Sequence, residues 1–520
     1  MRRLLCFKRC RIPSLGIVKL TIGFDYNILT ALSTQHFRET RMKSTAFKES
    51  QKWQMLIGGE WVSGAETISI LNPYDNALIA EVPSGTVDDV KAAIASASLS
   101  LQHEFPLHVR YDVLMKAASL VEDKKEAYAR TIAMEGSKTI REARREPVRT
   151  ANLLRLAAEE GRRLTGQTLP FESRVGSENR TGYFFRFPVG IIAAITPFND
   201  PLAMAGHNIG PAIAAGNAII LKPSARTPLS VLMLARDLVD AGLPKGRLSV
   251  VTGHGATLGE AMVSDPRVRL VTFTGGVETG RQVSRWLGIK KVLMELGSNS
   301  PVIVMDDAIL EKAIPAISDG AFAQAGENCI GVQRIFVHDS IYDEFKTRFV
   351  AHVRNLKAGS SMDESVDVCA LITSEEAQRV ESWINDAVRS GATILAGGKR
   401  EAAVVWPTVL EGVSADAKLS CDEVYGPVVS LYRFSSLDEA IRLSNQSEYG
   451  LHAAIFTERI DNAFKAIHGL HCGAVMVNDS TDYRLDVMPF GGTKLSGVGR
   501  QGTWSMIQEM TETRVVCFNL

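Results

Sequence analysis

The chain has 520 residues with 58 basic and 58 acidic side chains, so its formal charge cancels. Apolar residues make up 45% and charged residues 22%, a globular composition that excludes intrinsic disorder, collagen-like and coiled-coil architectures. The balanced charge gives no footprint for nucleic acid or an anionic membrane, and no uncharged apolar run reaches the ~18 residues of a membrane helix.

The length implies two or three domains with sizeable cores, the size of a large soluble enzyme. Seven cysteines (Cys6, Cys10, Cys329, Cys369, Cys421, Cys472, Cys517) are too scattered for a disulfide framework. None forms a Cys-x-x-Cys pair, so no metal is expected, and the pattern fits a reducing compartment, the cytoplasm. The first 50 residues differ from the rest. Arg2, Arg3, Lys8, Arg9, Arg11, Lys19, Arg38, Arg41, Lys43 and Lys48 face only Asp25, Glu39 and Glu49. Two readings stand for this extension: a mitochondrial presequence, or a start at Met42.

From Trp53 onward, 57–62 and Thr67–Leu71 read as strands, and Thr86 with Asp88 and Asp89 opens a helix through residue 100. Helical periodicity runs over 107–136 and 138–165, and alternating aromatics suggest a hairpin over 171–188, turning at 179–182. A βα rhythm follows, with strands at 189–195, Ala218–Lys222, 248–252 and 269–273 between helices at 201–215, 228–241 and 256–264. Such alternation predicts a doubly wound parallel sheet with a ligand at the strand C-terminal ends. A second α/β segment fills 300–475, and 513–518 reads as a terminal strand, expected to pair with the hairpin of another subunit.

Several residues carry chemistry. The turn Phe273-Thr-Gly-Gly-Val-Glu-Thr-Gly280 opens a helix after a strand, and a helix start of this kind can face a pyrophosphate or simply pack. Lys222 ends a parallel strand, where it suits a ribose or phosphate contact; a solvated surface lysine is the alternative. Cys329, in Gly326-Glu-Asn-Cys329, follows a glycine turn and precedes an expected helix start, a setting that lowers a thiol pKa. Glu295 ends an apolar stretch, where burial would raise its pKa and could make it a general base; a paired structural acid is the alternative. Asn199, in Pro197-Phe-Asn199, follows a buried strand and could donate to an oxyanion.

Together these motifs resemble the NAD(P)-dependent aldehyde dehydrogenase superfamily over residues 53–519. Lys222-Pro-Ser224, Glu295-Leu-Gly297, Glu423-Val-Tyr-Gly-Pro427 and Met488-Pro-Phe-Gly-Gly492 occur with the others in the family's order. The resemblance implies an α/β fold: a Rossmann-type cofactor domain (51–170 and 189–297), a catalytic domain (298–488) and a β oligomerisation segment (171–188 and 503–519). It implies Cys329 as nucleophile, Glu295 as general base and Asn199 as oxyanion donor. Thr196, Pro197, Phe198, Lys222, Ser224, Gly255, Gly275, Gly276, Thr279, Gly280, Leu296, Glu423 and Tyr425 would hold NAD or NADP. Ala225 stands where many NAD-preferring members carry an acid, so NADP should be tolerated. The substrate would be a small aldehyde met by Asn328 and Arg484, and the assembly a homodimer or homotetramer.

The text around Arg484, Asp482-Tyr-Arg-Leu-Asp486, looks closer to the lactaldehyde and phosphonoacetaldehyde branch than to general aliphatic enzymes. An arginine fork there suits an anionic aldehyde; an Arg484 paired with Asp482 or Asp486 on its own loop is the alternative. Two other functions compete, a Cys/Glu thioesterase and a non-catalytic binding protein of the same fold.

Overall fold

The computed structural model describes residues 53–520; the reading of residues 1–50 falls outside them. The described residues build two large sheets. The first holds eight strands in the spatial order Glu60–Val62, Met55–Ile57, Leu248–Val250, Ala218–Lys222, Ile191–Ile195, Val268–Thr274, Lys291–Glu295 and Gly497–Val498. Its middle five strands are parallel, and the edges are closed by antiparallel strands. Ile191–Ile195 and Ala218–Lys222 are continuous apolar runs because helices cover both faces.

The second sheet has seven strands, in the order Thr393–Ala396, Thr408–Glu411, Val428–Phe434, Val332–His338, Ser300–Val304, His452–Phe456 and Ala474–Val477. The chain passes from the first sheet to the second in four residues, between Glu295 and Ser300. That short link sets the C-terminal ends of one set of strands beside the N-terminal ends of the other. No helix among the described residues is long and apolar enough to cross a membrane.

Five expectations need correction. The 57–62 stretch is two strands around a Gly58-Gly59 turn, where both residues have positive φ. The helical periodicities break into Leu107–Asp123, Lys125–Glu135, Ile140–Ala143 and Arg145–Arg162. The second break follows extended Gly136, and a Thr139–Glu142 capping box restarts the chain. Residues 171–188 are not a hairpin: Phe171–Ser173 is a 3-10 turn, and only Arg180–Pro188 is a long strand. That strand pairs along its full length with Thr511–Asn519 of the same chain, so the pairing expected between subunits is internal. The 503–519 segment also begins as a helix, Thr503–Glu509.

Candidate active site

The first sheet delivers its residues from adjacent strand ends. Ile191–Ile195 runs into Thr196-Pro197-Phe198-Asn199, Ala218–Lys222 ends on Lys222, Val268–Thr274 leads to Gly275, and Lys291–Glu295 ends on Glu295. Thr196 N–H donates to the Lys222 carbonyl (3.1 Å) and Gly275 N–H to the Glu295 carbonyl (3.0 Å), so the four ends form one rim.

The second sheet meets that rim with the turns that open its strands. Gln324, Ala325 and Gly326 all have positive φ, a left-handed turn costing about 1 kcal/mol for each non-glycine residue. A Cβ on Gly326 would overlap the Gly426 backbone, so this turn interlocks with the 423–426 segment. Gln324 Nε2 reaches Asp200 (3.4 Å), and the Phe198 and Tyr425 rings meet edge to face at 5.9 Å. The loops bearing Asn199, Cys329 and Tyr425 therefore face one another.

Cys329 is half-buried against Ile330, Leu451 and Phe490. The residues after it form a turn and the strand Val332–His338, not the expected helix start. Without a helix dipole to lower it, the thiol is pushed up by burial and by Glu423, with Arg484 opposing. The expected acidic thiol is thus corrected. Neighbouring side chains fix the loop: Asn328 donates to Asp482, and Thr481 donates to the Ile330 carbonyl at 2.6 Å. Asn328 is committed to that contact.

Glu295 is 2% exposed, and neither carboxylate oxygen has a hydrogen-bond partner. Burial raises its pKa well above the ordinary range, against the pull of Arg484 and Arg500. An unpartnered buried carboxyl costs stability, and such cost concentrates where the group has work to do. Asn199 is buried in the loop that follows the Ile191–Ile195 strand.

The groups expected at a dinucleotide have a consistent placement. Lys222 is buried rather than solvated; its Nζ donates only to the Pro223 carbonyl (2.8 Å), and burial lowers its pKa to about 8. It lies beside Gly255, which opens the helix Gly255–Ser264. The Thr196 hydroxyl is buried and unpartnered. Gly276 caps the helix Val277–Trp286 and has open space where a side chain would stand; Thr279 is exposed on its first turn. Gly280 packs on Leu296, so its missing side chain serves packing. Ser224 caps the next turn through the Arg226 N–H (3.2 Å).

Glu423 accepts from the Ser298 N–H (2.8 Å), and burial raises its carboxyl to about 7. A Cβ on Gly297 would overlap that carboxylate, so any larger residue there would have to displace the Glu423 side chain. Gln333 ties the same segments, donating to the Ser298 carbonyl (2.9 Å) and accepting from Val424 N–H (2.8 Å). An open helix N-terminus, a buried lysine with no acid and a buried acid on an adjoining loop fit a phosphorylated, ribose-bearing cofactor. Among the described residues no acid–histidine–cysteine cluster could hold a metal.

Arg484 turns away from the acids of its own loop. Asp486 pairs instead with Arg149 (3.0 Å from Nε) and His207 (2.9 Å), and Asp482 accepts from Asn328. The Arg484 guanidinium lies over the Phe490 ring at 3.7 Å, and Nη2 donates to Gln501 Oε1 (3.2 Å). Its buried Nε–H has no acceptor. Burial, then Arg149, lowers its pKa to about 10, so it stays charged at neutral pH. Sequence reasoning missed Arg149, His207, Gln333 and Gln501, because each acts through partners distant along the chain.

The Aldehyde dehydrogenase family model matches residues 61–516. The 3-sulfolactaldehyde dehydrogenase of Priestia aryabhattai is 44% identical over 476 residues, 92% of this chain and all of that protein. The lactaldehyde dehydrogenase of Methanococcus aeolicus is 36% identical, covering 89% of this chain and all of that protein. The crystal structure of NADP-dependent glyceraldehyde-3-phosphate dehydrogenase from Bacillus halodurans, complexed with NADP, superposes with a TM-score of 0.88 at 36% identity, over 91% of this chain and 100% of that one.

Proposed function

This chain belongs to the aldehyde dehydrogenase family, and from that premise we propose that it oxidises a small anionic aldehyde to the carboxylic acid with NAD or NADP. The observation that carries the reading is the convergence of Cys329, an unpartnered buried Glu295 and an unclaimed face of Arg484. The similarity to a dehydrogenase of a sulfonated aldehyde and to one of a phosphorylated aldehyde supports the anionic class.

Cys329, its thiol proton lost to solvent, attacks the aldehyde carbon as the thiolate, while the Asn199 amide and the Cys329 N–H receive the developing oxyanion. One such donor is typically worth about 10²–10³ in rate. The nicotinamide, when bound, accepts the hydride. Lys222, Glu423 and the Gly276 helix start would hold that cofactor. The acyl group remains on Cys329 as a thioester, and Glu295 takes a proton from the water that hydrolyses it. Arg484 presents its Nε–H edge to the anionic group. The uncharged residue at Ala225 leaves room for a 2′-phosphate, which supports use of NADP.

The enzyme works as a homodimer or homotetramer. A thioesterase of the same fold would need none of the dinucleotide residues. Absorbance of reduced nicotinamide during turnover of an aldehyde tests the reading; thioester hydrolysis with no cofactor reduction would overturn it.

A further inference from the structure

Arg484 is a buried cation whose direct contacts are all uncharged, with Asp486 and Glu295 acting on it only through space. Its neighbours are the Phe490 ring, His207 and Gln501. Burial, then Arg484, lowers His207 to about 3, so the imidazole is neutral. The proton on its Nε2 is given to Asp486 (2.9 Å), which leaves that nitrogen unable to accept from Arg484 at 3.4 Å. Gln501 Oε1 is then the one acceptor Arg484 has among the described residues. The nearby acids are spent elsewhere: Asp486 on Arg149 and His207, Asp200 on Lys138 and Arg149, and Asp482 on Asn328. No hydrogen bond joins Arg484 to Glu295.

Gln501 is 2% exposed and is fixed at both ends. Its backbone exchanges hydrogen bonds with Phe490 (2.6 and 3.0 Å), the residue whose ring supports Arg484. Its side-chain nitrogen donates to Thr274 Oγ1 (3.2 Å), one residue before Gly275. A glutamate would fit the same space. Its carboxylate could accept from Arg484, and the Thr274 hydroxyl could turn to donate. What would change is charge: a carboxylate there would close Arg484 into an ion pair, and the substrate's anion would have to compete with it.

We propose that Gln501 is a positioning residue that sets substrate charge specificity, holding Arg484 in place through an amide while leaving its charge for the aldehyde's anionic group. This inference rests on the reading of Arg484 as the anion receiver, and its test separates the two.

Two probes are applied to full-length wild type, Gln501→Glu, Gln501→Leu and Arg484→Ala. The first is the ratio of kcat/KM for 4-oxobutanoate over butanal, aldehydes of equal chain length. The second is the ratio of Cys329 alkylation rates by iodoacetate over iodoacetamide, read by mass spectrometry and independent of turnover. Gln501→Glu should lower both ratios about 10- to 100-fold. Gln501→Leu, which adds no charge, should lower them less than Gln501→Glu does. Equal losses in the Glu and Leu variants, or unchanged ratios in Gln501→Glu alongside a collapse in Arg484→Ala, would overturn the role of Gln501 and leave Arg484 as receiver. Unchanged ratios in Arg484→Ala would overturn the anionic reading itself.

Discussion

At the residue scale, the arrangement makes sharp demands on two side chains. Cys329→Ala should abolish dehydrogenase activity while cofactor binding, followed by fluorescence titration, persists. Cys369 is fully buried, and Cys421 and Cys517 are exposed, so serine or alanine at each should leave turnover intact. Glu295→Gln should still release one equivalent of reduced cofactor in a stopped-flow burst and then stall at the thioester. Unchanged steady-state turnover would make Glu295 a structural acid only. The pH dependence follows from the same burial. Glu295 must be ionised to take a proton, and its folded pKa is raised, so hydrolysis should increase with pH through a value above the ordinary carboxylate range. Glu295→Gln should lose that limb. Both residues stood out in the sequence because each sits in a short local motif beside a strand. Gln501 was not, because its meaning lies in Arg484 and Thr274, each reached only by folding.

At the element scale, the buried parallel strands were legible as uninterrupted apolar runs, and Thr86 marked its helix start correctly. The strands at Thr393–Ala396 and Thr408–Glu411 were not, being short and flanked by turns. The 171–188 stretch misled because its aromatic alternation belongs to one strand whose partner lies at the far end of the chain. The cysteine turn shows how elements far apart in sequence fix a site. Glu327 is fully buried and accepts from the Ile372 N–H at 3.1 and 3.2 Å, tying that turn to the 369–373 segment. Burial raises its carboxyl from 4.5 to about 8. A raised folded pKa gives stability that is full below the unfolded value and is lost as pH climbs through the folded one. The melting temperature should therefore fall between about pH 4.5 and 8, partly through this group. Glu327→Gln keeps the acceptor and removes the proton, so differential scanning fluorimetry should show a shallower decline across that window. An unchanged slope would mean that Glu327 is ionised in the folded protein.

At the scale of the whole molecule, the small sheet of Arg180–Pro188, Thr511–Asn519 and Gln167–Thr168 is the feature that points beyond the chain. Its register sets Thr181, Tyr183, Phe185 and Phe187 on one face with Phe518, Val516, Arg514 and Glu512. The aromatic rings on that face touch each other, with Tyr183–Phe185 centroids at 4.7 Å and Tyr183–Phe518 at 6.1 Å, and Arg514 lies over Phe187 at 4.0 Å. Yet Phe185 is 48% exposed and Phe518 45%. The long strands pair with each other within one chain, while Thr511–Asn519 remains an edge strand of this sheet. Its side-chain face also leaves apolar area uncovered, and a contiguous aromatic face of this kind is normally removed from water by association. The homodimer or homotetramer should therefore form through side-chain packing on that face. Light scattering at micromolar concentration should give at least twice the chain mass, and Phe185→Lys with Phe518→Lys should lower it to one chain while circular dichroism keeps the folded signature. A wild-type monomer would overturn the assembly, and an unchanged mass in the double variant would place the interface on another face.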